Sequence, residues 1–204
     1  MKLVLMRHGQ TRWNLEGRFN STTDIEICAP FGAIERTIPT LLRLDPKLIF
    51  SSPMKRCLMT ADIAISQLSS STRRMEVDDR LRETDFGVFE GKRSDEIMLG
   101  PYSHEFTEWL DPQSSSIGPP QGETWSELGK RAMDFVGEIQ GSGTSTLVIT
   151  HGYLLRAILI GCLTSLGTEQ LRHFEIGNAR LAYLTNDDGY WRLRALNTSE
   201  CEDL

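Results

Sequence analysis

The residues that decide the fold are residues 2–11, KLVLMRHGQT. The apolar run from Leu3 to Met6 is too short for a buried helix, which favours a central strand of a parallel sheet covered on both faces. Arg7 and His8 would then follow at the carboxyl end of that strand. In open α/β sheets the ligand crevice lies outside the carboxyl ends of the strands, so both side chains are predicted to face a site.

The same pattern returns near the other end of the chain. Residues 145–150 form a second apolar run, which ends on His151-Gly152 before a helical pattern over residues 153–159. If the two strands are neighbours, the imidazoles of His8 and His151 face each other across one pocket. A single histidine at a strand end is more often a hydrogen-bonded structural residue than a catalyst. The repetition, with an arginine before the first histidine, favours a functional site.

Length and composition predict one compact domain over residues 1–204. An 18-residue apolar span and a signal-peptide pattern are both missing, so neither a transmembrane helix nor secretion is expected. The formal net charge of -6 disfavours nucleic acid as a partner, because binding to a phosphate backbone needs a basic surface. The four cysteines show no Cys-x-x-Cys spacing, so we expect no zinc site, no disulfide framework and a cytoplasmic location.

The first motif resembles the signature of the histidine phosphatase superfamily, the phosphoglycerate mutase-like proteins. The resemblance rests on RHGQT at residues 7–11 with Trp13 and Asn14, and on further motifs along nearly the whole chain. It implies a three-layer α/β/α sandwich with a mostly parallel central sheet. It also implies that Gln10, Thr11 and Asn14 contact the substrate, although Asn14 could equally be a solvated polar residue at a helix start.

A second strand, loop and helix unit follows, with a strand predicted over residues 47–50 and a helix over residues 54–68. Arg56 lies in the first turn of that helix, where the helix dipole disfavours a cation. An anion bound jointly by Arg56 and the helix amides is predicted to compensate. The Ser-x-x-x-x-Arg spacing here resembles the second arginine motif of the superfamily, and a surface arginine paired with a carboxylate is the alternative.

Residues 81–91, LRETDFGVFEG, resemble the superfamily's Leu-x-Glu-x-x-Phe-Gly-x-Trp-Glu-Gly motif. The resemblance assigns the catalytic acid to Glu83, with Asp85 as the second choice, and a turn-stabilising role to Glu90. Without it, three carboxylates within eight residues would indicate only a polar loop. Residues 17–24 resemble another loop of the superfamily but carry Asn-Ser in place of Gln-Gly, which predicts a difference in substrate preference.

Periodicity predicts the remaining elements. A helix is expected from Pro30 to about Leu44, with a kink or a division into two shorter helices at Pro39. The other expected elements are two helices separated at Gly100-Pro101 within residues 92–110, a helix over residues 125–140 with a capping box from Thr124 to Glu127, and a closing hairpin over residues 180–194. The helical tail around residues 171–174 and this hairpin resemble those of α-ribazole phosphatases.

Together these motifs predict a cationic pocket for a phosphoryl group, because guanidinium groups make bidentate contacts with phosphate oxygens. The same arginines would repel a metal cation, so no metal or other cofactor is expected. The residues predicted to form the pocket are Arg7, Arg56, His8 and His151.

The resemblance also implies a two-step displacement. Neutral His8 attacks phosphorus, Glu83 protonates the departing oxygen, and water then hydrolyses the phosphohistidine with Glu83 acting as base. His151, both arginines and the backbone near Gly152 would stabilise charge on the transferring group.

Three functions remain open at this point. The first is a phosphomonoester hydrolase acting on a small metabolite, the second a phosphoglycerate mutase, and the third a silent phosphate-binding module. Residues 84–87 read Thr-Asp-Phe-Gly where glycolytic mutases have Arg-His-Tyr-Gly, and the complete set of reactive residues disfavours a silent module. Sugar phosphates, phosphoglycerate derivatives and phosphoserine are all candidate substrates, and a homodimer is compatible with the sequence.

Overall fold

The computed structural model describes residues 1–68, 74–111, 116–163 and 174–199. Within these residues, six strands join in a single sheet. They are β1 (Lys2–Arg7), β2 (Leu48–Ser51), β3 (Arg74–Val77), β4 (Thr146–Thr150), β5 (Leu181–Asn186) and β6 (Trp191–Thr198).

The sheet has the order β3-β2-β4-β1-β5-β6. Strands β3, β2, β4 and β1 are parallel to one another, whereas β5 pairs antiparallel with both β1 and β6. The first strand therefore lies inside the sheet, as its unbroken apolar run predicts. Strands β5 and β6 form the predicted closing hairpin.

Helices cover both faces of the sheet. They are α1 (Arg12–Glu16), α2 (Gly32–Glu35), α3 (Ile38–Leu44), α4 (Lys55–Ser66), α5 (Ser94–Met98), α6 (Ser103–Leu110), α7 (Trp125–Gln140) and α8 (Gly152–Leu163). Short 3₁₀ turns occupy Asp79–Leu81 and Gly87–Phe89.

Alternating side chains of the central strands divide the interior into two cores. Leu3 and Leu5 pack with helices α5 to α8 on one face, and Val4 and Met6 pack with α2, α3 and α4 on the other. This division follows from the strand period of two, which sends successive side chains to opposite faces. The predicted three-layer sandwich with a mostly parallel sheet is confirmed.

The predicted helix from Pro30 to about Leu44 is wrong at its start and right about its division. Pro30 follows a cis peptide bond and precedes α2, which begins only at Gly32. Pro39 is the second residue of α3. A proline is tolerated in the first turn of a helix because the amide that it lacks would have no intrahelical partner there.

Other predicted elements are present close to their expected bounds. Helices α5 and α6 are separated around Gly100-Pro101, and α7 begins after the reciprocal capping box between Thr124 and Glu127. The predicted helical tail around residues 171–174 lies mostly outside the described residues. No helix in the described ranges combines the length and the apolar character that a membrane crossing requires.

We predict that Leu5→Ala lowers the free energy of unfolding by about 2–5 kcal/mol, because the Leu5 side chain is fully buried in the sheet core and its truncation leaves a cavity. Leu15→Ala, at a side chain that is 59% exposed, is the control and should change the free energy by less than about 0.5 kcal/mol. Urea unfolding measures both. Equal losses in the two variants would contradict the burial described here.

Candidate active site

The two strand-end histidines meet at the carboxyl edge of the sheet. Strands β1 and β4 pair in parallel with Arg7 opposite Thr150, and the His8 amide donates to the Thr150 carbonyl at 2.9 Å. The ring centroids of His8 and His151 are 5.2 Å apart and the ring planes are inclined at 62°. The prediction that neighbouring strands bring both imidazoles together is thus confirmed.

The His8 ring is held in one tautomer. Its Nδ1 lies 2.7 Å from the Gly9 carbonyl oxygen, and because a carbonyl can only accept, Nδ1 carries the proton. Burial lowers the pKa of His8 well below its ordinary value, and the nearby charges of Arg56 and Arg7 lower it further. The ring is therefore neutral, with an unprotonated Nε2, which is the form that a nucleophile requires.

His151 is fully buried behind this ring. Its Nδ1 accepts from Arg56 Nε at 3.2 Å, so Nε2 carries the proton and donates to Ser52 Oγ at 2.8 Å. The pKa of His151 is also lowered well below its ordinary value, first by burial and then by the charge of Arg56. Both imidazoles are consequently neutral despite two adjacent guanidinium groups.

Arg56 is fully buried and is held by backbone oxygens. Its guanidinium donates to carbonyl oxygens in the loop over residues 20–23, which belong to Asn20 (3.4 Å), Ser21 (2.8 Å) and Thr23 (3.2 Å). The Lys55 amide at the start of α4 is bound by the Asp24 carboxylate at 2.7 Å. A carboxylate of the chain therefore binds an amide at this helix start, whereas the alternative of a surface arginine paired with a carboxylate is wrong, because Arg56 is buried and donates to carbonyl oxygens.

Glu90 fixes the loop that holds Arg56. Its carboxylate accepts hydrogen bonds from the amides of Ser21, at 2.8 and 3.1 Å, and Thr23, at 2.9 Å. The sequence predicted a stabilising role for Glu90 in its own turn. The structure shows that the stabilised segment is the distant loop whose carbonyls bind Arg56.

Glu83 lies at the beginning of α8. Its carboxyl group, in a residue only 8% exposed, accepts from the amides of Tyr153 at 3.1 Å and Leu154 at 3.2 Å, and from the Thr84 amide at 3.1 Å. Burial raises the pKa of Glu83, and these hydrogen bonds and the two arginines oppose the increase only in part. A carboxyl group with a raised pKa can hold and deliver a proton.

Asp85, the second-choice acid, and Glu123 have structural partners. Glu123 forms a two-pronged ion pair with Arg131 at 2.6 and 2.8 Å, and Arg131 also donates to the carbonyls of Arg80 and Arg82 just before Glu83. Asp85 accepts from the Gly87 amide at 2.8 Å. Both line a cavity of about 490 Å³ whose wall also includes Glu83 but not His8.

A second cavity, of about 270 Å³, contains His8. The predicted site residues on its wall are Arg7, His8, Asn14, Glu83 and Gly152. Arg7 donates through Nη1 to the Ile176 carbonyl at 2.7 Å, whereas its buried Nε has no hydrogen-bond partner within the described residues. A β-carbon on Gly152 would lie 3.4 Å from this Nε, which is ordinary van der Waals contact. Arg56 and His151, which were also predicted to form the pocket, are fully buried and are not among the residues that line this cavity.

Gln10, Thr11 and Asn14 were predicted to contact substrate, and the structure places only Asn14 on the cavity wall. Thr11 is fully buried and caps α1 together with Asn14, whose Oδ1 accepts from the Thr11 amide at 3.0 Å. Asn14 lies on the cavity wall and also accepts from Asn178 Nδ2 at 3.0 Å. Gln10 is exposed and does not line the cavity, so the structure does not bring it to the other site residues.

The residues of this cavity wall that sequence reasoning did not assign to the site include Tyr153 and Arg156. One signal could have found Arg156. It follows Gly152 by four residues on a predicted helix, and residues four apart lie on one helical face. Asn20, whose departure from the superfamily's loop predicted a difference in substrate preference, also lies on this wall.

Comparison with known proteins gives a consistent assignment. Residues 3–199 match the family model described as "Histidine phosphatase superfamily (branch 1)". The chain is 32% identical over 181 residues to "Putative phosphoserine phosphatase 2" of Hydrogenobacter thermophilus, covering 87% of this chain and 86% of that protein. It is 29% identical to a 2,3-bisphosphoglycerate-dependent phosphoglycerate mutase of Nitrobacter winogradskyi, and the match covers 91% of this chain and 92% of that protein.

The structural comparison agrees on the fold. The crystal structure of an α-ribazole phosphatase from Shigella flexneri superimposes with a TM-score of 0.78 at 23% identity, covering 98% of this chain and 97% of that one.

We predict that the buried neutral histidines make stability depend on pH. The unfolded chain protonates a histidine near pH 6.5, whereas native His8 stays neutral to lower pH. The unfolded state therefore binds more protons below that pH, and the free energy of unfolding falls on acidification. His8→Gln should reduce the fall between pH 7.5 and 5.5 by about 1.4 kcal/mol, measured by urea unfolding.

The control is His104→Gln, because the His104 side chain is 82% exposed. This variant should retain the wild-type pH dependence. A wild-type slope in His8→Gln would show that His8 is not buried as a neutral ring.

Proposed function

Because the chain belongs to branch 1 of the histidine phosphatase superfamily, we propose that it is a phosphomonoester hydrolase acting on a small phosphorylated metabolite. One observation carries the proposal. A neutral His8 with an unprotonated Nε2 shares a cavity wall with Glu83, whose pKa is raised by burial. A nucleophile and a proton donor beside one cavity are what the transfer of a phosphoryl group from an ester requires.

In the first step, His8 Nε2 attacks the phosphorus of the ester. The bond from phosphorus to the ester oxygen breaks, and the Glu83 carboxyl proton moves to that departing oxygen. The alcohol leaves, the phosphoryl group is bonded to Nε2, and Glu83 is left as a carboxylate. The hydrogen bond from Nδ1 to the Gly9 carbonyl supports the positive charge that the ring gains.

In the second step, water attacks the phosphohistidine. Glu83 accepts a proton from this water, the bond from phosphorus to nitrogen breaks, and inorganic phosphate leaves. Neutral His8 and protonated Glu83 are thereby restored. The larger cavity that Glu83 also lines supports this step, because it offers water a route to the carboxylate.

Positive charge around the cavity would stabilise the transferring group. Arg7 lines the cavity, and the backbone around Gly152 adds the start of α8. His151 adjoins the His8 ring, and Arg56 donates to His151. This set supplies the electrostatic stabilisation without a metal ion, so we propose a reaction that needs no cofactor.

Two relatives support different outcomes for the phosphoryl group. The similarity to a phosphoserine phosphatase supports release to water, whereas the mutase relative supports its return to a phosphoglycerate. The Thr-Asp-Phe-Gly sequence at residues 84–87 departs from the Arg-His-Tyr-Gly of glycolytic mutases, which favours hydrolysis. Mutase activity is the second candidate.

We also infer that the protein works in the cytoplasm on a small-molecule ester. Cys28, Cys57 and Cys162 are all free thiols, as a reducing compartment would maintain them.

We predict that the wild-type protein releases phosphate from p-nitrophenyl phosphate and from a panel of phosphorylated metabolites in the presence of EDTA. Labelling with a ³²P-ester should trap a phosphoenzyme, and His8→Ala should abolish both signals because Nε2 is lost. His104→Ala is the matched control. Isomerisation of 3-phosphoglycerate with little phosphate release would make the protein a mutase, and labelling that survives in His8→Ala would remove His8 from its role.

We predict that Glu83→Gln separates the two steps. The p-nitrophenolate group leaves without a proton, so the variant should still show a burst of one equivalent, followed by turnover reduced about 10²- to 10⁴-fold because the water lacks its base. Alkyl phosphates, whose leaving oxygen needs the proton, should show no burst. Rapid-mixing absorbance measures the burst. If Glu83→Gln hydrolysed an alkyl phosphate at the wild-type rate, the acid would be another residue, and Asp85→Asn would be the next variant.

A further inference from the structure

The carboxyl group of Glu83, the proposed proton donor, is held at its tip by α8. It accepts hydrogen bonds from the amides of Tyr153 and Leu154 at the start of that helix. These contacts fix the carboxyl group relative to α8, but they do not fix the chain that carries it. The place of the carboxyl group at the cavity therefore also depends on what holds the backbone around Glu83.

Arg131 of α7 holds the backbone that leads into Glu83. Its Nη1 donates to the carbonyl oxygens of Arg80 at 2.6 Å and Arg82 at 2.7 Å, and its Nη2 donates to that of Glu83 at 3.5 Å. The N–H donors of a guanidinium group form a rigid planar fork, so carbonyls bound to one such group are fixed relative to one another. This segment of the chain is thus tied to α7.

Glu123 orients the Arg131 guanidinium. The two side chains form a two-pronged ion pair, with Arg131 Nε donating to Glu123 Oε1 at 2.8 Å and Nη2 donating to Oε2 at 2.6 Å. The Arg131 and Glu123 side chains are only 20% and 16% exposed, so the pair is largely shielded from water. Neither partner can be lost without leaving the other charge uncompensated in a partly desolvated place.

The backbone of Glu123 holds the chain on the other side of Glu83. The Glu123 amide donates to the Asp85 carbonyl at 2.9 Å, and a β-carbon on Gly122 would lie only 2.4 Å from that carbonyl oxygen. Only glycine, which has no β-carbon, permits so close an approach. The chain is therefore held on both sides of Glu83, by the side chain of Arg131 and by the backbone of Glu123.

We propose that Arg131, oriented by Glu123, is a positioning residue for the proton donor. It fixes the backbone of Glu83 so that the carboxyl group both meets the start of α8 and lies on the wall of the cavity that His8 lines. Arg131 does not line that cavity, so it acts through Glu83 and not on the phosphoryl group. This inference rests on the proposed function and adds a residue to its proton-transfer step.

The first test compares two leaving groups in Arg131→Gln. Phosphate release from the alkyl phosphate that the wild type hydrolyses fastest needs the Glu83 proton, so its kcat should fall about 10- to 100-fold. The burst of p-nitrophenolate needs no proton, so its rate should stay within about threefold of wild type. Arg131→Lys, which keeps the charge without the planar fork, should lose less on the alkyl phosphate. Equal losses on both esters, or no loss on either, would overturn the proposal.

The matched control is Arg192→Gln. It removes another two-pronged ion pair, with Asp188, at residues that line neither cavity, and both rates should stay at the wild-type value. Because Arg131→Gln leaves the charge of Glu123 unpaired and is destabilising for that reason, a variant that combines Arg131→Gln with Glu123→Gln is measured beside it. This double variant should show the same selective loss on the alkyl phosphate, and equal losses on both esters would again count against the role.

Hydrogen exchange followed by NMR separates this inference from the proposed function, because it needs no turnover. In Arg131→Gln the amides of Tyr153 and Leu154 should exchange at least about 10-fold faster, since Glu83 is no longer held against them. The Leu155 amide, which donates to a backbone carbonyl, should keep its protection. If phosphate release fails and this selective change appears, the hydrolase is wrong and the positioning role stands. If phosphate is released and exchange is unchanged, only the positioning role is wrong.

Discussion

The parallel pairing of β1 with β4 is the constraint on which the site depends. Two parallel strands end at the same edge of a sheet, so the residue after each strand is carried to the same place. The His8 amide extends this pairing by one more hydrogen bond to Thr150. The contact between the imidazoles of His8 and His151 is therefore set by backbone register, before any side chain of the pocket contributes.

Burial at this edge acts in opposite directions on the two reactive groups. Removing water disfavours the charged form of any group, so it lowers the pKa of His8 and raises that of Glu83. The outcome is a neutral imidazole beside a carboxyl group whose pKa is raised. Arg56 strengthens the first effect without opening the site to water, because loop carbonyls and Glu90 hold it in place.

Much of the fold could be predicted because its signals are local. Short apolar runs, the His-Gly ends of two strands and the capping box at Thr124 each depend on neighbouring residues. Pro30 shows one limit of local signals, because a proline is equally compatible with a helix start and with the loop before a helix. Glu90 shows a second limit, since its role depends on amides about 70 positions away in the chain, at Ser21 and Thr23.

The sequence by itself determined the family and the sheet with its two strand-end histidines, and it supplied the residues that we propose as nucleophile and acid, because these are carried by contiguous motifs. Only the tertiary structure decided which polar groups face the cavity. It turned Gln10 outward, used Thr11 as a helix cap, and placed Arg156 on the wall of the cavity that His8 lines. Side-chain direction and pairing depend on residues distant in the chain that folding brings together, and a local motif does not contain that information.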